Sequence, residues 1–195
     1  MKKSTCIIIT YFFCFSSFGQ TRQGDIMSQE RCKEITEYYC KQYIVDEILK
    51  IPDRQSIGVY IYAITAAKSG EITTVLYECP SLNKKGVVFA FWNDYSNGIL
   101  PSIKGYGFYN LELEDAKELF NHLESLMDKE NKILTEYTGN LAYKSNDLTF
   151  LFYNSGDVLI ANPIRVWYNT FDSNWTQSNL RTTIKRFRKF FGLEK

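Results

Sequence analysis

Apolar positions along the chain change period several times, and each change marks an element. The first run, Cys6 to Phe15, is apolar almost throughout and follows the basic start Met1-Lys2-Lys3. Ser17-Phe18-Gly19 then sets small residues at both key positions before a break at Gln20, the pattern of a secretory leader. The run falls short of the roughly 20 apolar residues that span a bilayer. Cys14 is a poor lipid-anchor site, because bulky Phe12 and Phe13 precede it. The expected organisation is a leader over 1–19, a polar stretch over 20–27 and one folded domain over 28–195.

Within that domain, Ser28 to Lys50 repeats at helical spacing through Cys32, Ile35, Tyr39 and Tyr43, and Pro52 stops it. Ile57 to Ala66 switches to β-branched and aromatic residues, and after the turn Ala67-Lys68-Ser69-Gly70 a second strand is expected over Glu71 to Cys79. Val87 to Trp92 is apolar on both faces, as a central strand would be. A fourth strand is expected within Ile99 to Asn110, where Gly105 and Gly107 mark a bulge or a close approach. Glu112 to Lys129 is a second helix, with Leu113, Ala116, Leu119, Phe120, Leu123, Leu126 and Met127 on its apolar stripe.

Three more strands are expected over Lys132 to Tyr143, Leu148 to Asn154 and Val158 to Trp167, with turns between them at Ser145-Asn146-Asp147 and Ser155-Gly156-Asp157. A last helix, capped by Thr176, runs to Phe191, presents Leu180, Ile184, Phe187 and Phe191, and ends at Gly192. The order predicts an α+β single domain: a largely antiparallel sheet of about six to seven strands with three helices packed to one side. A weak internal echo, strand-turn-strand-helix, recurs in Val87–Lys129 and Leu148–Phe191. It matches Ala116 to Leu180, Phe120 to Ile184, Leu123 to Phe187 and Met127 to Phe191.

Composition narrows the function classes. With 23 basic against 22 acidic residues there is no whole-protein field for drawing in nucleic acid. Removal of the leader leaves Cys32, Cys40 and Cys79, an odd number in an oxidising compartment. Cys32 and Cys40 on one helix would stand about 12 Å apart along the axis, so any bridge must pair Cys79 with one of them. Packed thiols are the plainer expectation.

No CxxC, HExxH or calcium-loop pattern occurs, and Gly105-Tyr106-Gly107 lacks the rest of a phosphate-binding fingerprint, so no cofactor or metal is expected. The single histidine, His122, paired with Cys79, is the simplest nucleophilic site the chain offers, and it underlies a small secreted hydrolase as an alternative reading. Spacing alone does not bring the two together; a boundary histidine is the simpler account. The C-terminal stretch Arg181 to Lys195 carries +5, including Arg181, Lys185 and Arg188, while Glu112 to Glu130 carries −5. A basic aromatic helix supports weak contact with a membrane surface, although cations near a helix C-terminus also complement its dipole.

Aromatic side chains are the remaining lead. Trp167, Tyr168, Phe171 and Trp175 crowd the end of the last expected strand and the loop after it. Exposed aromatics there would stack on a glycan or anchor a protein. The expected function is therefore that of an exported, non-catalytic binding domain, in the periplasm or outside the cell, whose partner is an envelope protein or a glycan. The oligomeric state is left open.

Overall fold

The computed structural model describes residues 29–51, 58–68, 71–95, 103–136, 140–153 and 163–194, with side chains at all but 29–35, 93–95, 103–105 and 129–136. The chain falls into two compact units, Met1–Cys32 and Lys33–Lys195. Of the first, only the start of a helix is described. The expected leader, the polar stretch over 20–27, and the turns at Ser69-Gly70 and Ser155-Gly156-Asp157 lie outside the described residues.

Helix α1 spans Gln29–Tyr43 and continues into one wide turn, Ile44–Ile48, where the Leu49 N–H donates to the Ile44 carbonyl at 2.9 Å. Four antiparallel strands follow in sequence order: β1 (Tyr62–Lys68), β2 (Ile72–Cys79), β3 (Lys84–Tyr95) and β4 (Ile103–Glu112). Helix α2 (Leu113–Glu136) closes this half. The second half repeats the plan with β5 (Leu141–Ser145), β6 (Leu148–Phe152), β7 (Pro163–Tyr168), β8 (Phe171–Thr176) and helix α3 (Gln177–Phe190). Glu112 and Thr176 each end the fourth strand of their half, so the matched helical positions of the internal echo begin from equivalent places.

The class is α+β, as its pattern predicts, with three corrections. There are eight strands in two sheets of four among the described residues, not one sheet of six or seven. The expected strand from Lys132 begins as helix, because α2 runs on to Glu136. Extending a helix adds one bond per residue and needs no new nucleus, which outweighs the β-leaning composition of Lys132 to Thr135. Lastly, the helices do not share one side of the first sheet.

That sheet is covered on both faces. Strand alternation sends Val75, Tyr77, Cys79, Val88 and Ala90 to an outer face, where they pack with Cys40, Ile44 and Leu49 of α1 and its following turn. The helical stripe that meets them runs through Thr36, Cys40 and Ile44, one position away from the expected Tyr39–Tyr43 line. Small side chains let the helix approach, and Tyr43 stacks on Phe108 at its border. The inner face carries Ile72, Leu76, Val87, Phe89, Phe91 and Leu111. It packs on α2, α3 and the apolar face of the second sheet, which together form the main core.

Candidate functional site

Each candidate residue of the sequence can now be placed. Cys79 is fully buried on the outer face of the first sheet, whereas α2, which carries His122, packs on the inner face. The two groups are not brought together. His122 is exposed and lies flat on Tyr143 of β5, with ring centroids 5.6 Å apart. Cys40 and Cys79 are free and buried, so the bridge from Cys79 to Cys40 or Cys32 does not form. Burial pushes the Cys40 thiol up to about 12, which keeps it protonated near neutral pH. Among the described residues no group of three or more His, Cys, Asp and Glu is placed to hold a metal ion.

The charged helices answer each other. Arg188 of α3 donates to both oxygens of Glu124 on α2, at 3.0 and 2.6 Å, and to Asn121 at 3.3 Å. Arg181 stands 3.9 Å from Asp128. Arg186 turns the other way and donates to the carbonyls of Thr65 and Ala66 on β1. Three cations of the basic stretch are thus engaged within the chain, while Lys185 and Lys189 face solvent. Beside Arg188 a cleft of about 390 Å³ opens over Lys117, Asn121 and Leu193. Phe120 and Phe187, which are almost wholly buried, also line it.

The aromatic segment Trp167 to Trp175 is a hairpin, not a loop. Tyr168 pairs with Phe171 across a two-residue turn, and Asn169 supplies the left-handed conformation at φ 52°. Alternation then divides the aromatics between two faces. Tyr168, Phe171 and Trp175 point inward: Tyr168 stacks on Phe91 and donates to the Phe108 carbonyl, Phe171 lies over Gly107, and Trp175 meets Phe89 edge to face. They join the two sheets. Trp167 points outward, onto a sheet face that no helix covers among the described residues, and is half-buried there.

Around Trp167 the register gathers a mixed surface. Thr149 and Asp172 stand directly opposite it on the neighbouring strands, with Arg165 two residues back and Leu151 opposite Arg165. Arg165 forks onto Asp172, its Nε to Oδ1 at 2.6 Å and Nη2 to Oδ2 at 2.7 Å, which holds both side chains flat on the sheet. The arrangement offers one aromatic platform, a fixed array of donors and acceptors, and exposed Lys144 and Asn174 at its margins.

A second exposed surface escaped the sequence reading. Tyr60, Tyr62 and Ile64, on and just before β1, are 82%, 57% and 42% exposed. A signal for them exists in the chain: Gly58 to Ala67 contains no charged residue. Among the described residues no helix is long and apolar enough to cross a membrane. No protein-family model, curated protein or solved structure matches the chain.

Proposed function

We propose that the chain acts as a non-catalytic binding domain, exported by the leader over 1–19, whose ligand is an envelope protein or a glycan. The observation that supports this reading is the outward face of the second sheet, uncovered among the described residues, where Trp167 sits among Arg165, Asp172, Thr149 and Leu151. An aromatic plate gives a sugar ring or an apolar side chain a place to stack, and the planar Arg165–Asp172 pair matches hydroxyls or backbone groups beside it. Both groups are held by strand register, so little order is lost on binding.

The test is capture by the tagged mature chain from a detergent-solubilised envelope extract, alongside a glycan array, with Trp167→Ala in parallel. The expected result is one stoichiometric ligand, weakened at least about tenfold by Trp167→Ala, a loss of about 1.4 kcal/mol. The melting temperature should stay near that of the unsubstituted chain. Equal capture by both proteins would remove Trp167 from the site, and loss of a turnover activity in His122→Ala would replace the binding reading by the hydrolase one.

A further inference from the structure

The cleft beside Arg188 is built by the end of α3 and the first half of α2. Gly192, at φ 64°, turns the chain after α3. Its N–H donates to the Lys189 carbonyl at 3.3 Å, and the Leu193 N–H donates to the Arg188 carbonyl at 2.8 Å. In a helix end of this kind the residue after the glycine folds back on the last turn. Leu193 thereby becomes part of the cleft lining. Phe120 and Phe187, whose rings meet edge to face at 4.9 Å, add the rest of its apolar part. Lys117 and Asn121, four residues apart on α2, and Arg188 supply its polar groups.

The charge of this lining is opposite to that of the helix behind it. Between Glu112 and Glu130 the chain carries seven acids and two lysines, yet the charged residue that α2 gives to the cleft is Lys117. Among the described residues the lining holds two cations, one amide and no carboxylate. The acid partner of each cation stands outside the lining. Lys117 pairs at 3.2 Å with Glu114, whose side chain is 78% exposed. Such a pair is weak, so the ammonium can be recruited by a ligand at little cost. Glu124 and Asn121 engage three of the five guanidinium hydrogens of Arg188. Asn121 uses its carbonyl to accept one of these, and its amide nitrogen can only donate. The side-chain groups left to a ligand are donors, two of them charged.

We propose that this cleft binds a small organic acid, its carboxylate between Lys117 and Arg188 and its apolar body against Leu193, Phe120 and Phe187. The volume of about 390 Å³ lies toward the lower end of small-molecule sites, about 300–1,000 Å³. Such sites combine apolar walls with a few fixed polar groups, as here. A carboxylate suits the flat guanidinium edge and the point charge of an ammonium. A neutral ligand would leave both cations without an acceptor, and a bare inorganic anion would leave the apolar part of the lining unfilled. The site uses none of the residues around Trp167.

Proton–nitrogen correlation spectra of the isotope-labelled mature chain test the site, with phenylpropionate, hexanoate and benzoate as probes. At least one acid should saturate with a Kd of about 1 mM or tighter. It should move the Asn121 side-chain amide and the Leu193 backbone signal while leaving the Trp167 indole in place. The corresponding neutral carboxamide and inorganic phosphate should each bind at least about tenfold more weakly. Lys117→Gln should weaken the acid at least about tenfold, and Lys117→Arg should restore it. Both variants should melt near the unsubstituted chain, since Lys117 is exposed and its pair with Glu114 is weak. Failure of all three acids to saturate by about 10 mM overturns the proposal. So do shifts confined to residues outside the cleft, equal binding of the carboxamide or of phosphate, and binding that Lys117→Gln leaves unchanged.

Discussion

Two glycines show how single residues set the spacing of the layers. At Gly86 a Cβ would stand 2.2 Å from the Leu111 carbonyl oxygen and 3.0 Å from the Tyr77 hydroxyl, and the first of these is backbone within the sheet. At Gly107 it would stand 2.3 Å from the ring of Phe171, a side chain with some room to yield. Gly86→Ala should therefore cost about 3 kcal/mol and Gly107→Ala about 1–2 kcal/mol, the range of overpacked cores. Urea midpoints at constant slope check both values, and the reverse order would contradict the account. The glycine pair Gly105/Gly107 was legible as a bulge or a close approach; the unshifted β3–β4 register leaves the close approach, and its partner, Phe171, lies 64 residues on. No local pattern could name that partner.

At the scale of elements, turns were read well where their chemistry is distinctive. Asn146, in the expected turn Ser145-Asn146-Asp147, takes φ 50° between β5 and β6. Strand β8 was missed because Asn169-Thr170 is an uncommon hairpin pair and because Asp172, Ser173 and Asn174 look like loop residues. Ser173 is nevertheless fully buried between Phe171 and Trp175 on the inward face. Thr176 caps α3 as expected, its hydroxyl accepting from the Asn179 N–H at 3.1 Å. Helix α1 is tied to the edge of the first sheet through Glu37, which bridges to Lys68 at 2.7 Å and to Lys41 at 2.9 Å.

Burial alone would push the Glu37 carboxyl up, but these two ammonium groups hold it down at about 2. A depressed folded value means the tie is complete above the pH where the unfolded carboxyl titrates, and fades as pH falls from about 4.5 toward 2. Glu37→Gln should lower stability near neutral pH by on the order of 1–2 kcal/mol, allowing for screening around the partly exposed lysines. The difference from the unsubstituted chain should vanish by about pH 2. Thermal melts across that range measure it, and a pH-independent gap would rule the ion pairs out as its cause.

For the whole molecule, the decisive feature is that both halves drain their apolar faces into one core. Trp175 of the second sheet, Phe89 of the first sheet, Phe120 of α2 and Phe187 of α3 touch in sequence, through ring pairs 4.9 to 6.1 Å apart. The buried hydroxyls of Thr74 and Thr183, 3.3 Å apart, tie α3 to β2 within that core. Neither sheet buries its apolar face without the other, so the unit Lys33–Lys195 should unfold in one step. Trp175→Ala should cost about 3–5 kcal/mol and still give coincident transitions by far-ultraviolet circular dichroism and by fluorescence. Separate transitions would show that the two meanders are independent.

Local pattern determined what each stretch is. The stripes of α2 and α3, the two-faced apolar run of β3 and the cap at Thr176 depend on periods of two or 3.6 residues and on backbone chemistry within a few residues. Tertiary structure alone decided which surfaces meet. It split the strands into two sheets, laid α1 on the face away from α2 and α3, and put Cys79 and His122 on opposite faces of the first sheet. It also drew Tyr168, Phe171 and Trp175 into the joint between the sheets while turning Trp167 outward. Amphipathic periodicity says that a face must be buried, not against what. That choice depends on complementary shapes brought together from distant parts of the chain.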